Sequence, residues 1–252
     1  MAPLTSTDIE KMKQGGQIAG EVLDRLIATV QPGMTTLALD ALAEEWIVAR
    51  GGESAFKKVP GYRHTLCTPV NNEVVHAIPN DRKLEKGDVL TIDLGVYYQG
   101  LYTDTAWTVI VGTHPTPEVK KFLDTGQKAL FAGIKQAKSG NHIGDISFAI
   151  EKALAQGNYG IVDCLTGHSV GRELHQDPLV PNEGMKKGVG VKLEPGMALA
   201  IEPIYTDASP EVFLENDELT IVAPYSRRAA VSEYSIAITK SGPISLTPNH
   251  QR

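Results

Sequence analysis

The stretch from Val89 to Val111, VLTIDLGVYYQGLYTDTAWTVIV, alternates apolar and polar side chains, breaks once at Gln99-Gly100, and then resumes its alternation. A period of two with a single break predicts two antiparallel strands joined by a tight turn. A turn centred there sets Tyr98 opposite Leu101 and Gly95 opposite Asp104, so Asp93, Gly95, Asp104 and Ala106 share one face. Two carboxylates therefore stand diagonally on neighbouring strands. Each is embedded in β-branched and apolar neighbours: Thr91, Ile92 and Leu94 around Asp93, and Thr103, Thr105 and Trp107 around Asp104. A bare carboxylate pair in such company would repel and be costly to desolvate. Solubilising surface aspartates are the plain alternative. A cation between them would remove both penalties, and Gly95 and Ala106 would leave it room.

With 252 residues and 42% hydrophobic content, the chain can bury a substantial core, as one large domain or two fused halves. The net charge of -6 and the lack of any basic tract argue against nucleic acid as a substrate. Only Cys67 and Cys164 carry thiols, and charges from Asp8 onward interrupt anything like a signal peptide. A cytoplasmic location is expected. No apolar run is long enough for a bilayer, so no membrane partner is expected either.

The first helix is expected to begin near Thr7, which with Glu10 makes a capping-box pattern, and to carry the apolar stripe Ile9, Met12, Ala19, Val22, Leu23, Leu26, Ile27 and Val30 before Pro32-Gly33 ends it. A second follows Thr35-Thr36, with Leu39, Leu42, Ala43, Trp46 and Ile47 inward until Gly51-Gly52. After the hairpin this plan recurs. Thr116-Pro117-Glu118 opens a third helix with the stripe Val119, Phe122, Leu123, Ala129, Leu130 and Ile134, and a fourth runs from about Ile143 to Gln156. Two helices followed by strands, twice over, predict two related halves, about 1–112 and 113–252, of a single catalytic domain 1–252.

The second half adds polar residues with apolar escorts. His168 and His175 lie seven apart in a glycine-containing segment, a strand over Met197–Tyr205 carries Glu202, and a strand over Ala229–Thr239 carries Glu233. Taken singly, His168 could serve a loop, and either glutamate could pair with Arg227 or Arg228. Likewise His76, beside Val74 and Val75, has an ordinary turn or core role open to it. Together, Asp93, Asp104, His168, Glu202 and Glu233 offer four carboxylates and one imidazole, a set suited to two divalent ions bridged by carboxylates and a water.

These residues fall in a sequence of motifs that resembles the type I methionine aminopeptidases of the pita-bread metallopeptidase family. The likeness runs from Gly15-Gly16 through Asn72-Glu73-Val74-Val75-His76, Ile92-Asp93, Thr103-Asp104, Gly167-His168, Gly171-Arg172, His175 and Ile201-Glu202-Pro203 to Glu233. The gap of 31 residues between Glu202 and Glu233 resembles type I, because type II carries an insertion there. The resemblance implies an α+β pita-bread fold, with two pseudo-symmetric halves and a curved antiparallel sheet covered by helices. It implies hydrolytic removal of N-terminal methionine by a hydroxide activated between two divalent metal ions (Co, Mn, Fe or Zn), favouring small second residues. Asp93, Asp104, His168, Glu202 and Glu233 would be the metal ligands, with Glu202 also shuttling a proton. His175 and His76 would be catalytic and substrate-binding, and Tyr62 and Cys67 would line the methionine pocket. N-terminal Met-Xaa peptides and nascent polypeptides are the implied partners, with the ribosome a candidate and a monomer the expected state.

Four positions depart from the resemblance. Ser169 stands where glycine is common, Tyr234 where histidine is common, and Leu174 and Leu219 where larger aromatics are common. They leave the five ligands intact and bear on the fit of the methionine pocket. A relative with another preference, such as Xaa-Pro, and a non-catalytic binding member of the fold are the alternatives. Ala2 after Met1 would make the chain a substrate of its own activity.

Overall fold

A computed structural model describes residues 3–248, which leaves Met1 and Ala2, and any processing between them, outside the described residues. Helix α1 (Ser6–Thr29) is capped by Thr5, whose hydroxyl accepts from the Asp8 amide at 3.1 Å while the Asp8 carboxylate accepts from the Thr5 amide at 3.0 Å. This box lies two residues ahead of the expected Thr7–Glu10 pair. Asp8 is also held by Arg172 at 3.0 Å, a tertiary contact that local sequence does not reveal. Helix α2 (Thr36–Val48) starts behind Thr35 as expected, and α3 (Pro117–Gln136) has Thr116 as its cap with proline in its first turn. Helix α4 (Ile143–Leu154) ends two residues before the expected Gln156 and passes into a 3-10 turn.

The hairpin has the expected register: strand Val89–Tyr98 pairs with Leu101–Ile110, with Tyr98 opposite Leu101 and Gly95 opposite Asp104. Gln99 and Gly100 take φ of 49° and 90°, the left-handed pair that lets a two-residue turn follow the strand twist. The hairpin belongs to an eleven-stranded sheet whose main path runs Glu53–Ser54, Val89–Tyr98, Leu101–Ile110, Ala229–Thr239, Ala198–Ile201, Thr166–Ser169 and Gln176–Pro181. Its pairings are antiparallel. Helices α1 and α3 pack on this sheet, and the core between the layers contains Leu23, Leu26, Ile92, Trp107, Phe122 and Tyr234. Each fully buried leucine or isoleucine there contributes roughly 1.5–3 kcal/mol, so burial rather than helix propensity holds the layers together. The expected α+β architecture of helices over an antiparallel sheet is the one observed.

One strand differs. The run Met197–Tyr205 is divided into Ala198–Ile201 and Ile204–Thr206, with Glu202 and Pro203 between them. Pro203 has no N–H to give the ladder, so pairing stops and resumes beyond it. Beside the main sheet lies a three-stranded one of Phe213–Leu214, Ile221–Val222 and Glu73–Val75. His76 follows its last strand at φ 58°. Among the described residues no helix is long and apolar enough to cross a membrane.

Candidate metal centre

Strand alternation puts Ile92, Trp107 and Tyr234 on the helix side and their neighbours Asp93, Ala106 and Glu233 on the other. Ala106 pairs with Asp93 on one flank and with Glu233 on the other, so the two carboxylates straddle a methyl group across three strands. Asp104 is one step along the hairpin, its backbone clasped by Ser235, whose hydroxyl accepts from the Asp104 amide at 2.9 Å and donates to the Asp104 carbonyl at 2.8 Å. His168 enters from the neighbouring strand, and Glu202 from the break at Pro203. Gly95 has a different purpose from the one expected: a methyl there would meet Ala55 and the Phe56 ring, so its bareness seats the cavity wall rather than an ion.

The nine site residues named from the sequence line a single cavity of about 190 Å³: Asp93, Asp104, His168, Glu202 and Glu233 with His76, His175, Tyr62 and Cys67. Ligating atoms within 4.8 Å of one another fall into three overlapping groups: Asp93, Asp104 and Glu233; His168, Glu202 and Glu233; and Asp104, His168 and His175. The His168 Nδ1 donates to the Ser169 carbonyl at 3.0 Å, which leaves Nε2 facing a Glu202 oxygen at 3.4 Å. The His168 and His175 rings meet edge to face with centroids 4.4 Å apart. Arg227 and Arg228 engage Glu118 and Asp207 instead of the site glutamates, so the ordinary ion-pair alternative falls away.

Electrostatics make the crowding costly. Burial, then the neighbouring Asp104, pushes the Asp93 carboxyl well above its usual range, and burial pushes Asp104 up to about 7. Burial followed by repulsion from the other carboxylates raises Glu202 and Glu233 well above theirs. His168 is driven down to about 4 by burial and by His175, while His76 and His175 are also lowered, chiefly by their enclosure. Among the described residues neither lysine nor arginine lines the cavity to compensate four acids. Asp93 Oδ1 and Glu233 Oε1 are buried with no hydrogen-bond partner. Unpaired buried carboxylate oxygens are expensive, and oxygen donors converging with one imidazole are what divalent cations such as Mn, Fe, Co or Zn bind. The residues fit the metals expected of them.

The other end of the cavity is apolar. Tyr62 donates to the Leu66 carbonyl at 2.6 Å and accepts from the Cys67 thiol at 3.3 Å; Leu174 packs in this wall with Phe56 and Val59, and Leu219 also lines the cavity. Ser169 and Tyr234, the other two departures, do not line the cavity. Ser169 donates to the Ala198 carbonyl at 2.9 Å, and Tyr234 stacks on Trp107 with centroids 6.0 Å apart in the helix-facing core. Phe56, Val59, Thr91 and Val231 also line the cavity without having been expected there. The last two were findable, since Thr91 shares the face of Asp93 and Val231 that of Glu233. Phe56 and Val59 lie in and beside a 3-10 turn with no periodic signal.

The sequence model of metallopeptidase family M24 matches residues 10–240. A methionine aminopeptidase of Clostridium perfringens is 38% identical over 240 residues, which is 95% of this chain and 96% of the relative. The crystal structure of methionine aminopeptidase from Thermotoga maritima matches with a TM-score of 0.95 at 36% identity, covering 99% of this chain and 100% of that one. A prolidase from Pyrococcus horikoshii shares the fold at TM-score 0.80 and 23% identity, over 99% of this chain and 64% of its own. The pita-bread fold expected from the resemblance is borne out.

Proposed function

We propose, from the premise that the chain belongs to metallopeptidase family M24, that it removes the N-terminal methionine from peptides and nascent polypeptides with a small second residue. The observation that carries this reading is the cavity itself. Four carboxylates and His168 converge without a compensating lysine or arginine among the described residues, beside an apolar recess bounded by Phe56, Tyr62, Cys67 and Leu174 that suits a thioether side chain.

In this reading Asp93, Asp104, His168, Glu202 and Glu233 would hold two divalent ions. When bound, the ions supply Lewis acidity and make a water acidic enough to act as nucleophile near neutral pH. Glu202 takes a proton from the nucleophile and passes it to the leaving amine. His175 donates to the carbonyl oxygen of the scissile peptide and holds the negative charge that develops there. His76 hydrogen-bonds the peptide from the leaving side. The supporting feature is that enclosure lowers the pKa of both rings, so both are neutral near pH 7, each with one N–H to give and one nitrogen to accept. The proposed setting is the cytoplasm, as a single-domain monomer of two related halves, with the ribosome as the site where nascent substrates are met.

The test is release of free methionine from Met-Ala-Ser and Met-Pro-type peptides, with Leu-Ala-Ser as control, after adding Co or Mn to metal-free protein. Metal-dependent cleavage confined to the methionine peptides is expected. Cleavage of the control alone would assign another specificity, and two bound metals without cleavage would make the chain a binding protein.

A further inference from the structure

Asp40 lies outside the cavity, on α2, and is only 7% exposed. Its Oδ1 accepts from the backbone amides of Thr65 at 2.7 Å and Leu66 at 2.8 Å, and its Oδ2 lies 3.4 Å from His64 Nδ1. The segment it grips is the cavity wall. Leu66 and Cys67 form a strand of two residues paired with Leu94 and Asp93, and a ladder that short cannot fix a wall by itself. The Leu66 carbonyl then accepts from the Tyr62 hydroxyl, and that hydroxyl in turn accepts from the Cys67 thiol. A chain of contacts thus runs from a helix carboxylate through the backbone of one residue, Leu66, to the two side chains at the apolar end of the cavity.

We infer that Asp40 is a positioning residue for the methionine pocket, holding Tyr62 and Cys67 in place through the backbone of Leu66. The inference rests on the proposed function. An ionised carboxylate accepting two amide protons makes charge-assisted bonds, and its loss would orphan two buried N–H groups at the wall. Asparagine keeps an oxygen at the Oδ1 position and so keeps the geometry. The role predicts an effect on how tightly the methionine side chain is held, and little effect on the chemical step at the carboxylates.

The experiment compares wild type, Asp40→Ala, Asp40→Asn, Tyr62→Phe and the Asp40→Ala/Tyr62→Phe pair as metal-loaded proteins with Met-Ala-Ser. Asp40→Ala is expected to raise KM about tenfold, the equivalent of one lost hydrogen bond, with kcat within about twofold, and Asp40→Asn to rescue most of that rise. Asp40→Ala and Tyr62→Phe should be non-additive, because both act on the backbone of Leu66. The alkylation rate of Cys67 by iodoacetamide, followed on its own peptide by mass spectrometry, should rise in Asp40→Ala and Tyr62→Phe and not in Asp40→Asn. This readout does not depend on turnover. A wild type that releases no methionine defeats the proposed function, while the alkylation series still tests the hydrogen-bond chain. An unchanged KM in folded Asp40→Ala, multiplicative effects in the double variant, or Cys67 reactivity indifferent to Asp40 would each overturn the inference. Should Asp40→Ala not fold, Asp40→Leu, which has nearly the shape of aspartate and no acceptor, takes its place in every comparison.

Discussion

Stripping metal from this protein should make its stability fall as pH rises above 7, a slope the loaded protein lacks. The folded-state pKa of Asp93, Asp104, Glu202 and Glu233 is raised in each case, with burial the largest cause. A raised carboxyl contributes stability that is full below its unfolded pKa and is lost as pH rises through its folded one. The depressed His76, His168 and His175 act in the opposite sense: their contribution is present above the unfolded value of 6.5 and is lost as pH falls through the folded value. From pH 7 to 8 the last of the histidine gain roughly offsets the loss from Asp104, whose folded value is about 7. What remains is Asp93, Glu202 and Glu233. Each proton this trio still holds through that window costs about 1.4 kcal/mol per pH unit, or about 3–6 °C in melting midpoint for a chain of this size. Metal holds the same carboxylates ionised in the folded state and removes the slope. Calorimetry of metal-free and metal-loaded protein at pH 7 and pH 8 measures the difference directly. A metal-free midpoint that is flat or rising over that interval would refute the reasoning, since the carboxylates would then be ionised together without a cation.

Three further outcomes are expected. Asp104→Ala should lose turnover and bind metal more weakly, as read by methionine release and metal content, because it removes a member of two of the three ligand groups. His175→Ala should retain its metal content while kcat falls about 10²–10³-fold, the scale for losing one donor to a developing oxyanion. Gly126→Ala should destabilise the fold by about 1–3 kcal/mol in urea titration, with turnover per folded molecule unchanged. A methyl there would run into the ring of Tyr205, which is pinned by its hydroxyl's bond to the Phe122 carbonyl at 2.8 Å.

The sequence carried the hairpin down to its register, because a period of two and a Gln-Gly turn leave a single pairing that keeps Ile92 and Trp107 together in the core. It carried the cavity residues because charges inside apolar strands need a reason to be there. It misled where two local signals competed. Thr5–Asp8 prevailed over Thr7–Glu10 through a contact with Arg172, far along the chain, and Pro203 divided what composition presents as one strand. Tyr234 looked like a change at the pocket only because it is adjacent to Glu233 in sequence; adjacency in a strand means opposite faces. The Asp40 clamp was invisible for another reason: an aspartate inside an amphipathic helix announces neither its burial nor the distant amides it holds.

The residues around the cavity also impose an order of events on synthesis. When Val111 has been made, the hairpin can close and present Asp93 and Asp104, but the partners that complete each of the three ligand groups are not yet translated. Glu233, shared by two of those groups, is carried by a strand near the end of the chain that zips directly onto the hairpin through Ala106 and through the Ser235 hydroxyl. Until that strand is inserted an emerging chain can assemble the group of Asp104, His168 and His175 alone, and a ribosome stalled short of it holds a polypeptide with most of its hydrophobic core and without the two ligand groups that share Glu233.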